Sequence, residues 1–177
     1  MRDMIKMGLI LLLITSVAGL VLGVTNSLTE GIILERAMAG DIASMQVLLP
    51  NADSFEPVEH EEISSSTIIR EVYAGFSNGD LVGYNIKVSP NGYGGAVEIM
   101  VGIAVTHELT GIEILEQTET PGLGTKITEE AYKSQFIGLS TDGSATVDTI
   151  AGATVSSEAV NTGVRAATTL YEDFLKN

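Results

Sequence analysis

A long uncharged run near the N-terminus constrains this chain more than any other feature. No charged side chain occurs between Lys6 and Glu30, a stretch of 23 residues that includes the run MGLILLLITSVAGLVLGVTN. A helix rises 1.5 Å per residue, so about 20 apolar residues cross the roughly 30 Å hydrocarbon layer of a bilayer. The run therefore predicts a transmembrane helix over residues 7–28, preceded by a short N-terminal segment, residues 1–6.

A cleaved signal peptide is the alternative interpretation of this run. It is N-terminal and follows two basic residues, Arg2 and Lys6, as a signal peptide would. However, its apolar core is longer than the usual signal core of about 7–15 residues, and no clear A-x-A cleavage site follows it. We therefore interpret the run as a retained membrane anchor.

The charges on either side of the run predict its orientation. Arg2 and Lys6 precede it, whereas Glu30 and Glu35 follow it before the next basic residue, Arg36. Positively charged flanks tend to stay on the cytoplasmic side of a membrane. The sequence thus predicts a single-pass protein of the cell (inner) membrane, with its N-terminus cytoplasmic and the rest of the chain extracytoplasmic.

The remainder of the chain is acidic and lacks cysteine. Residues 27–177 carry seven Lys or Arg residues and 22 Asp or Glu residues. A surface this negative repels nucleic acid and anionic lipid headgroups, so neither is expected as a partner. Without cysteine, disulfides, thiolate-ligated clusters and cysteine nucleophiles are excluded. With only His60 and His107, a histidine-based metal site is not expected either.

Residues 29–66 are predicted to form an amphipathic helix followed by an exposed connection. A set of residues recurs at roughly helical spacing after the anchor: Ile32, Ile33, Arg36, Met38, Ile42, Met45 and Leu48. Pro50 ends this pattern, since proline cannot continue a helix. Residues 51–66 are polar, acidic and serine-rich without a clear period, which is typical of a surface connection.

The next part of the chain predicts an antiparallel sheet. Runs rich in β-branched and aromatic residues predict strands over residues 67–76, 81–88, 97–105 and 112–118. Asn78-Gly79 is a strong signal for a two-residue hairpin turn between the first two runs. The glycine-rich sequence PNGYGG, residues 90–95, is predicted to be a loop. Strands joined at hairpin spacing favour antiparallel pairing.

The C-terminal third predicts helices and one further strand. Thr128, followed by two acidic residues, can start a short helix that runs to about Phe136. Residues 144–150 are predicted to form a short strand. The last segment, a predicted helix over residues 156–175, has an apolar stripe at a period of 3.6 residues: Val160, Val164, Ala167, Leu170, Tyr171, Phe174 and Leu175. The sequence therefore predicts an α+β protein, with a single N-terminal transmembrane helix followed by an antiparallel-sheet domain, residues 67–177, that ends in a helix.

The junction between the last predicted strand and the last helix carries the most chemical information. Gly152 and Ala153 predict a tight turn, and Ser156 or Ser157 can cap the helix that follows, with Glu158 in its first turn. A helix N-terminus presents unpaired N–H groups and a partial positive charge, which suit a phosphate group. On spacing alone, an ordinary turn between a strand and a helix is the better interpretation.

The window VDTIAGATVSSEAV resembles the flavinylation motif of the RnfG and NqrC family, in which an Asp precedes a Ser/Gly-Ala-Thr turn. The matching residues are Asp148, Gly152, Ala153, Thr154, Ser156 and Ser157. Ala151 departs from the family, which usually has Ser at that position. In this family FMN is joined through its phosphate to the threonine hydroxyl, so the resemblance implies covalent FMN on Thr154.

A second match makes the resemblance more specific. The sequence ETPGLG, residues 119–124, resembles the family's loop beside the flavin, and the sequence GYGGAVEIMVGI and the N-terminal anchor also match. The implied cofactor site consists of Thr154, Asp148, Gly152, Ala153, Val155, Ser156, Ser157, Glu119, Thr120, Gly122, Leu123 and Gly124. Glu119 and Thr120 could hydrogen-bond the flavin or brace their loop. Tyr93 could stack on a ring or pack on the sheet.

The resemblance, which is closer to RnfG than to NqrC, also implies a function. It implies one electron-relay subunit of a respiratory complex that passes electrons between ferredoxin and NAD while moving Na+ or H+, with no turnover of its own. The implied partners are the other membrane subunits of an Rnf-type complex. A separate flavin transferase is also implied, because no residue pairs with the threonine as a base. Two alternatives remain: a stand-alone exported flavoprotein reductase and a flavin-free membrane-anchored binding module.

Overall fold

The structure, a computed structural model, describes the backbone of residues 2–59, 63 and 65–176. Within these ranges it describes the side chains of residues 6–9, 11–23 and 40 onwards. The chain divides into two compact units, Met1–Gly40 and Asp41–Asn177, which are treated separately below.

The first unit is helical and carries the predicted anchor. Helix α1 spans Arg2–Leu48, and its segment Lys6–Gly23 has a mean hydropathy of 2.1 with none of it buried in the protein. By length and composition this segment can cross a membrane. Its leucines are largely exposed, with exposed fractions of 61% for Leu9 and 70% for Leu22.

The end of α1 belongs to the second unit and tests part of the predicted amphipathic stripe. Met45 and Leu48 are buried, as predicted, whereas Ile42 is 52% exposed, so its assignment to the buried face was wrong. The other members of the stripe lie outside the described side chains: Ile32, Ile33, Arg36 and Met38. The helix ends at Leu48, two residues before the proline that was predicted to stop it.

The second unit is built on a five-stranded antiparallel sheet. Its strands follow one another in space in chain order. They are β1 Ser54–Pro57, β2 Ile69–Ser77, β3 Asp80–Val88, β4 Glu98–Ala104 and β5 Leu109–Glu116. The four predicted strands are confirmed, although β5 begins at Leu109 rather than at residue 112. At the turn between β2 and β3, Asn78 and Gly79 have φ angles of 51° and 91°, as a two-residue turn of mirror-image type requires.

Strand β1 lies within the segment that was predicted to be a connection without regular structure, and that prediction was wrong. Its residues pair with β2 from Ser54 opposite Phe76 to Pro57 opposite Tyr73. A proline fits here because β1 is an edge strand, in which an N–H facing solvent is not needed. Four residues with a mostly exposed pattern carry too little hydrophobic alternation to be recognised as a strand.

The two faces of the sheet pack against different helices. One face contacts the last α-helix, α3, which spans Thr154–Leu170, and the other contacts the end of α1 through Met45, Leu48 and Met100. Strand β4 is therefore buried on both faces over its five central residues. The second unit consists of three layers, with the sheet in the middle.

The apolar stripe of the last helix is confirmed for most of its length. Its buried members have exposed fractions of 4% or less: Val160, Val164, Ala167, Leu170 and Tyr171. Phe174, in contrast, is 40% exposed. The cause is a change of geometry, because α3 ends at Leu170 and Tyr171–Leu175 form a π-helical turn, which moves later residues off the 3.6-residue stripe.

Two predictions for the chain between β5 and α3 need correction. The predicted short helix is divided into a 3₁₀ turn Gly124–Thr128, helix α2 Glu130–Lys133 and a 3₁₀ turn Ser134–Phe136. Helix α2 therefore begins after Thr128, and the Thr128 hydroxyl donates to the Thr125 carbonyl instead of capping a helix. Residues 144–150 form no strand. Their backbone is bonded to side chains of α3 rather than to the edge of the sheet.

The burial of Leu170 predicts that the last helix contributes strongly to stability. Leu170→Ala removes a side chain that is 4% exposed and should lower the free energy of unfolding by about 2–5 kcal/mol, as measured by chemical unfolding. As a control, Ile137→Ala shortens a side chain that is 58% exposed and should change it by only about 0.5 kcal/mol. Equal effects of the two substitutions would contradict the packing of α3.

Candidate functional site

Thr154 is the first residue of helix α3, and its side chain is exposed. The chain enters the helix through a tight turn in which the Ala153 N–H donates to the Ile150 carbonyl at 2.9 Å. Gly152 has a φ of +82°, a left-handed conformation that glycine adopts without strain. The turn predicted from the Gly-Ala pair is therefore present and places Thr154 at the surface.

The start of α3 carries no side-chain cap, which contradicts the capping prediction. The N-cap residue is Ala153, and Ser156 and Ser157 lie inside the helix. Glu158 likewise lies beyond the first turn, which contains no acidic residue. The N–H groups at a helix start therefore lack a side-chain acceptor here, and together they carry a partial positive charge beside Thr154.

Ser157 braces the turn instead of capping the helix. Its hydroxyl donates to the Ala153 carbonyl at 2.7 Å and accepts from the Ile150 N–H at 3.1 Å. From the other side, the Tyr132 hydroxyl donates to the Ser157 carbonyl at 3.2 Å. Burial, and secondarily the charge of Glu158, raises the pKa of Tyr132, so this hydroxyl remains a donor at physiological pH.

The side chain of Ser156 is hydrogen-bonded to Glu119, a residue 37 positions earlier in the chain. The Ser156 hydroxyl donates to Glu119 Oε2 at 2.5 Å, and the Gly94 N–H donates to Glu119 Oε1 at 3.0 Å. Glu119 and Ser156 are 4% and 2% exposed, respectively. A buried carboxylate is stable only where its oxygens are hydrogen-bonded, as they are here.

A cleft of about 470 Å³ lies between these segments. Its lining residues are Tyr93, Glu119, Thr120, Leu123, Gly124, Gly152, Ala153, Thr154, Val155 and Ser156. Tyr93, Leu123 and Val155 are 74%, 47% and 52% exposed, so the cleft has accessible apolar walls. Tyr93 lines the cleft, so the interpretation that its ring packs on the sheet was wrong. Among the described residues that line the cleft, none is Lys or Arg.

The cleft brings together most of the residues that the sequence singled out. Nine of the twelve line it, and three do not: Asp148, Gly122 and Ser157. Asp148 is exposed before the turn, and Ser157 is buried beneath it. Gly122 shapes the neighbouring loop, since its φ is +75° and its N–H donates to the Thr125 hydroxyl at 2.9 Å.

A second cleft, of about 520 Å³, shares Thr154 and Val155 with the first. Its remaining lining residues are Thr67, Ile68, Ser89, Pro90, Asn91, Glu158, Ala159 and Thr162. Because both clefts include the first two residues of α3, the exposed Thr154 hydroxyl lies at their common border.

Asn161 is a supporting residue that the sequence analysis missed. It is 4% exposed, its Oδ1 accepts from the Val147 N–H at 3.1 Å, and its Nδ2 donates to the Val147 carbonyl at 3.0 Å. These two bonds replace a strand partner for the segment that leads to Thr154. The available signal was a polar residue next to Val160, within the apolar stripe of the predicted helix.

The described residues contain no group of three or more His, Cys, Asp or Glu side chains that could hold a metal ion. The uncapped start of α3 and the apolar side chains of the cleft suit an organic anion. A phosphate can contact the uncapped helix start, and a flat apolar group can contact the walls of the cleft.

Comparison with known proteins relates this part of the chain to FMN-binding proteins. Residues 92–169 match the FMN-binding domain family. The chain is 35% identical, over 97% of its length and 93% of the relative's, to the G subunit of the Na(+)-translocating ferredoxin:NAD(+) oxidoreductase complex of Acetobacterium woodii. It is 30% identical, over 94% of its length and 93% of the relative's, to the G subunit of the ion-translocating oxidoreductase complex of Methanosarcina acetivorans.

A solved structure shows that the fold is shared more widely. The C subunit of the Na(+)-translocating NADH-quinone reductase of Parabacteroides distasonis superposes with a TM-score of 0.58. The match covers 81% of this chain and 96% of that chain at 16% sequence identity. An identity this low indicates a common fold, and it carries no residue assignments.

The two bonds of Asn161 predict a measurable role for its side chain. Asn161→Ala leaves the Val147 N–H and carbonyl without partners and should lower the free energy of unfolding by about 1–3 kcal/mol. It should also increase proteolysis within residues 144–150. Thr169→Ala, at an exposed position of the same helix, is the control and should change stability by about 0.5 kcal/mol. If both variants behave alike, Asn161 does not hold this segment.

Proposed function

Because the chain belongs to the G-subunit family of ion-translocating ferredoxin:NAD(+) oxidoreductase complexes, we propose that it relays electrons within such a complex through covalently bound FMN. The FMN is joined by a phosphodiester to the Thr154 hydroxyl. When bound, it supplies the acceptance and release of electrons, and the protein supplies binding and orientation.

The observation that carries the proposal is the exposed Thr154 hydroxyl at an uncapped helix start. A phosphodiester retains one negative charge. The free N–H groups and the partial positive charge of the helix terminus stabilise such a charge. No Lys or Arg is among the described residues lining the cleft, so within this lining the helix start is the group that can stabilise a phosphate charge.

The other hydroxyl groups near the turn are less suitable for attachment. Ser156 and Ser157 are buried, and both hydroxyls are engaged in protein hydrogen bonds. Thr149 is exposed, but it precedes the turn and does not lie at the helix start. Thr154 alone combines exposure with the helix terminus.

The first cleft has the properties that a flavin ring system requires. The exposed side chains of Tyr93, Leu123 and Val155 offer apolar contact to a flat aromatic group. Gly152 also lines the cleft and is exposed, so its lack of a side chain leaves the backbone accessible there. These residues would hold the ring system and shield part of it from water.

Attachment requires help from another protein. Within the described residues, no side chain hydrogen-bonds the Thr154 hydroxyl, so no base is positioned to activate it. The Glu119 carboxylate lines the cleft, but it already accepts hydrogen bonds from Gly94 and Ser156. We therefore propose that a separate flavin transferase forms the phosphodiester.

The proposed location is the extracytoplasmic side of the cell membrane. Segment Lys6–Gly23 anchors the chain, and Arg2 and Lys6 keep the N-terminus cytoplasmic. The other membrane subunits of the complex are the partners that deliver and remove electrons, so the isolated chain turns over no substrate. A covalent tether prevents loss of the cofactor outside the cytoplasm.

The site assignment is tested by mass spectrometry of protein produced together with a flavin transferase. The wild-type protein should carry the added mass of FMN less one water on the peptide that contains Thr154, and Thr154→Ala should lose it while remaining folded. Thr149→Ala removes the nearest other exposed hydroxyl in the segment before the turn, and it should be labelled fully. Labelling of Thr154→Ala, or an adduct on any other residue, would contradict the assignment.

The orientation is tested by cysteine labelling, for which the absence of native cysteine gives a clean background. Thr106→Cys places a thiol at an exposed position between β4 and β5, and Met4→Cys places one before the anchor. In spheroplasts, a membrane-impermeant maleimide should label Thr106→Cys before lysis and Met4→Cys only afterwards. The reverse pattern would place the domain in the cytoplasm.

A further inference from the structure

We propose that Glu119 is a positioning residue that holds the two walls of the FMN cleft at a fixed spacing, rather than a ligand of the flavin. One wall is the loop of residues 90–96, which carries Tyr93. The other is the first turn of α3, which carries Thr154. This inference rests on the proposed function and concerns how the site is kept ready for FMN.

Both oxygens of Glu119 are committed to protein donors on opposite walls. Oε1 accepts from the Gly94 N–H at 3.0 Å, and Oε2 accepts from the Ser156 hydroxyl at 2.5 Å. The residue is 4% exposed, so solvent does not compete for these bonds. A single side chain therefore connects two segments that are 62 positions apart in the sequence.

The glycines of loop 90–96 allow the backbone of the loop to pack closely against Glu119 and its neighbour Thr118. A Cβ added at Gly92 would lie 2.2 Å from Glu119 Oε1, and one added at Gly94 would lie 2.1 Å from the Thr118 carbonyl oxygen. The Thr118 hydroxyl also donates to the Gly94 carbonyl at 3.2 Å. The loop can approach Glu119 only because these positions have no side chain.

The other end of the connection determines where Thr154 lies. Ser156 is two residues after Thr154 in the same helical turn, so fixing Ser156 also fixes the backbone that carries the Thr154 hydroxyl. Gly124 packs against the hydrogen bond between Glu119 and Ser156. A Cβ at Gly124 would lie 2.7 Å from Glu119 Cβ and 2.8 Å from the Ser156 hydroxyl oxygen. The loop of residues 119–124 is thereby fastened to both walls.

The geometry assigns this role to the length and bonding of the side chain, not to its charge. A carboxylate beside a bound phosphodiester repels it, so charge alone would oppose FMN binding. Glutamine has the same length. Its carbonyl oxygen can accept from the Gly94 N–H, and its amide can donate to the Ser156 hydroxyl. Aspartate keeps the charge but is one methylene shorter, so it cannot reach both partners.

The experiment therefore compares Glu119→Gln with Glu119→Asp in the full-length protein produced together with a flavin transferase. Intact mass measures the rate of FMN loading, and fluorescence anisotropy measures the mobility of the bound flavin. Loading of Glu119→Gln should stay within about twofold of wild type. Loading of Glu119→Asp should fall about tenfold, the effect of one lost buried hydrogen bond, with lower anisotropy in the loaded fraction. Glu116→Gln changes the exposed last residue of β5, three residues before Glu119; it is the control and should load normally.

A second measurement tests the connection without FMN. In a Thr154→Ala background, the Gly94 amide should exchange with solvent about tenfold faster in Glu119→Asp than in Glu119→Gln. If wild type carries no FMN on Thr154, the proposed function fails, and this measurement still tests the connection.

A third variant tests the connection independently of whether Glu119→Asp folds. Ser156→Ala removes the opposite end of the connection and should lower loading to a similar extent. Combining it with Glu119→Asp should cause no further loss, because either substitution alone breaks the connection between the two walls. Loading that survives in Glu119→Asp but not in Glu119→Gln would show that charge matters and overturn the inference. Normal loading in both Glu119→Asp and Ser156→Ala would overturn it as well.

Discussion

The packing of α3 on the sheet is the interaction on which the rest of the domain depends. Val160, Val164 and Ala167 are fully buried against the strands, and Gly163 allows the helix to approach β3 closely. A Cβ at Gly163 would lie 2.9 Å from Val88 Cγ2. Since a helix is rigid over its length, this apolar contact also fixes the position of its N-terminus. The chemistry proposed for the domain is located at that terminus.

A small set of buried polar groups holds the segments around the helix start in place. Ser157 and Asn161 lie on the helix face that is otherwise apolar, and they hold the segment that leads into the turn. Glu119 joins the helix start to the glycine-rich loop. Each group would destabilise the core if it lacked a partner, and each of the three has one. The turn is therefore held by hydrogen bonds from below, while its upper surface remains open.

The openness of the cleft is consistent with a covalently held cofactor. Ligand sites that retain a small molecule without a covalent bond usually enclose most of its surface. Here Tyr93 is 74% exposed, and the other apolar walls are about half exposed, which leaves limited area for noncovalent retention. On the proposed function, the tether to Thr154 supplies retention, and the open walls leave the flavin accessible to partner subunits that exchange electrons with it.

Sequence by itself determined the apolar span, four of the five strands with the Asn78-Gly79 turn, the C-terminal helix and the tight turn at Gly152-Ala153. These features depend on local preferences, namely hydrophobic period, turn geometry and chain stiffness. Only the tertiary structure decided that β1 pairs at the sheet edge and that residues 144–150 bond to Asn161 instead of forming a strand. It also decided that Ser156 bonds to Glu119 rather than capping its own helix. A hydroxyl or carboxylate has several partners within local reach, and the one it takes depends on which distant segment the packing brings within about 3 Å.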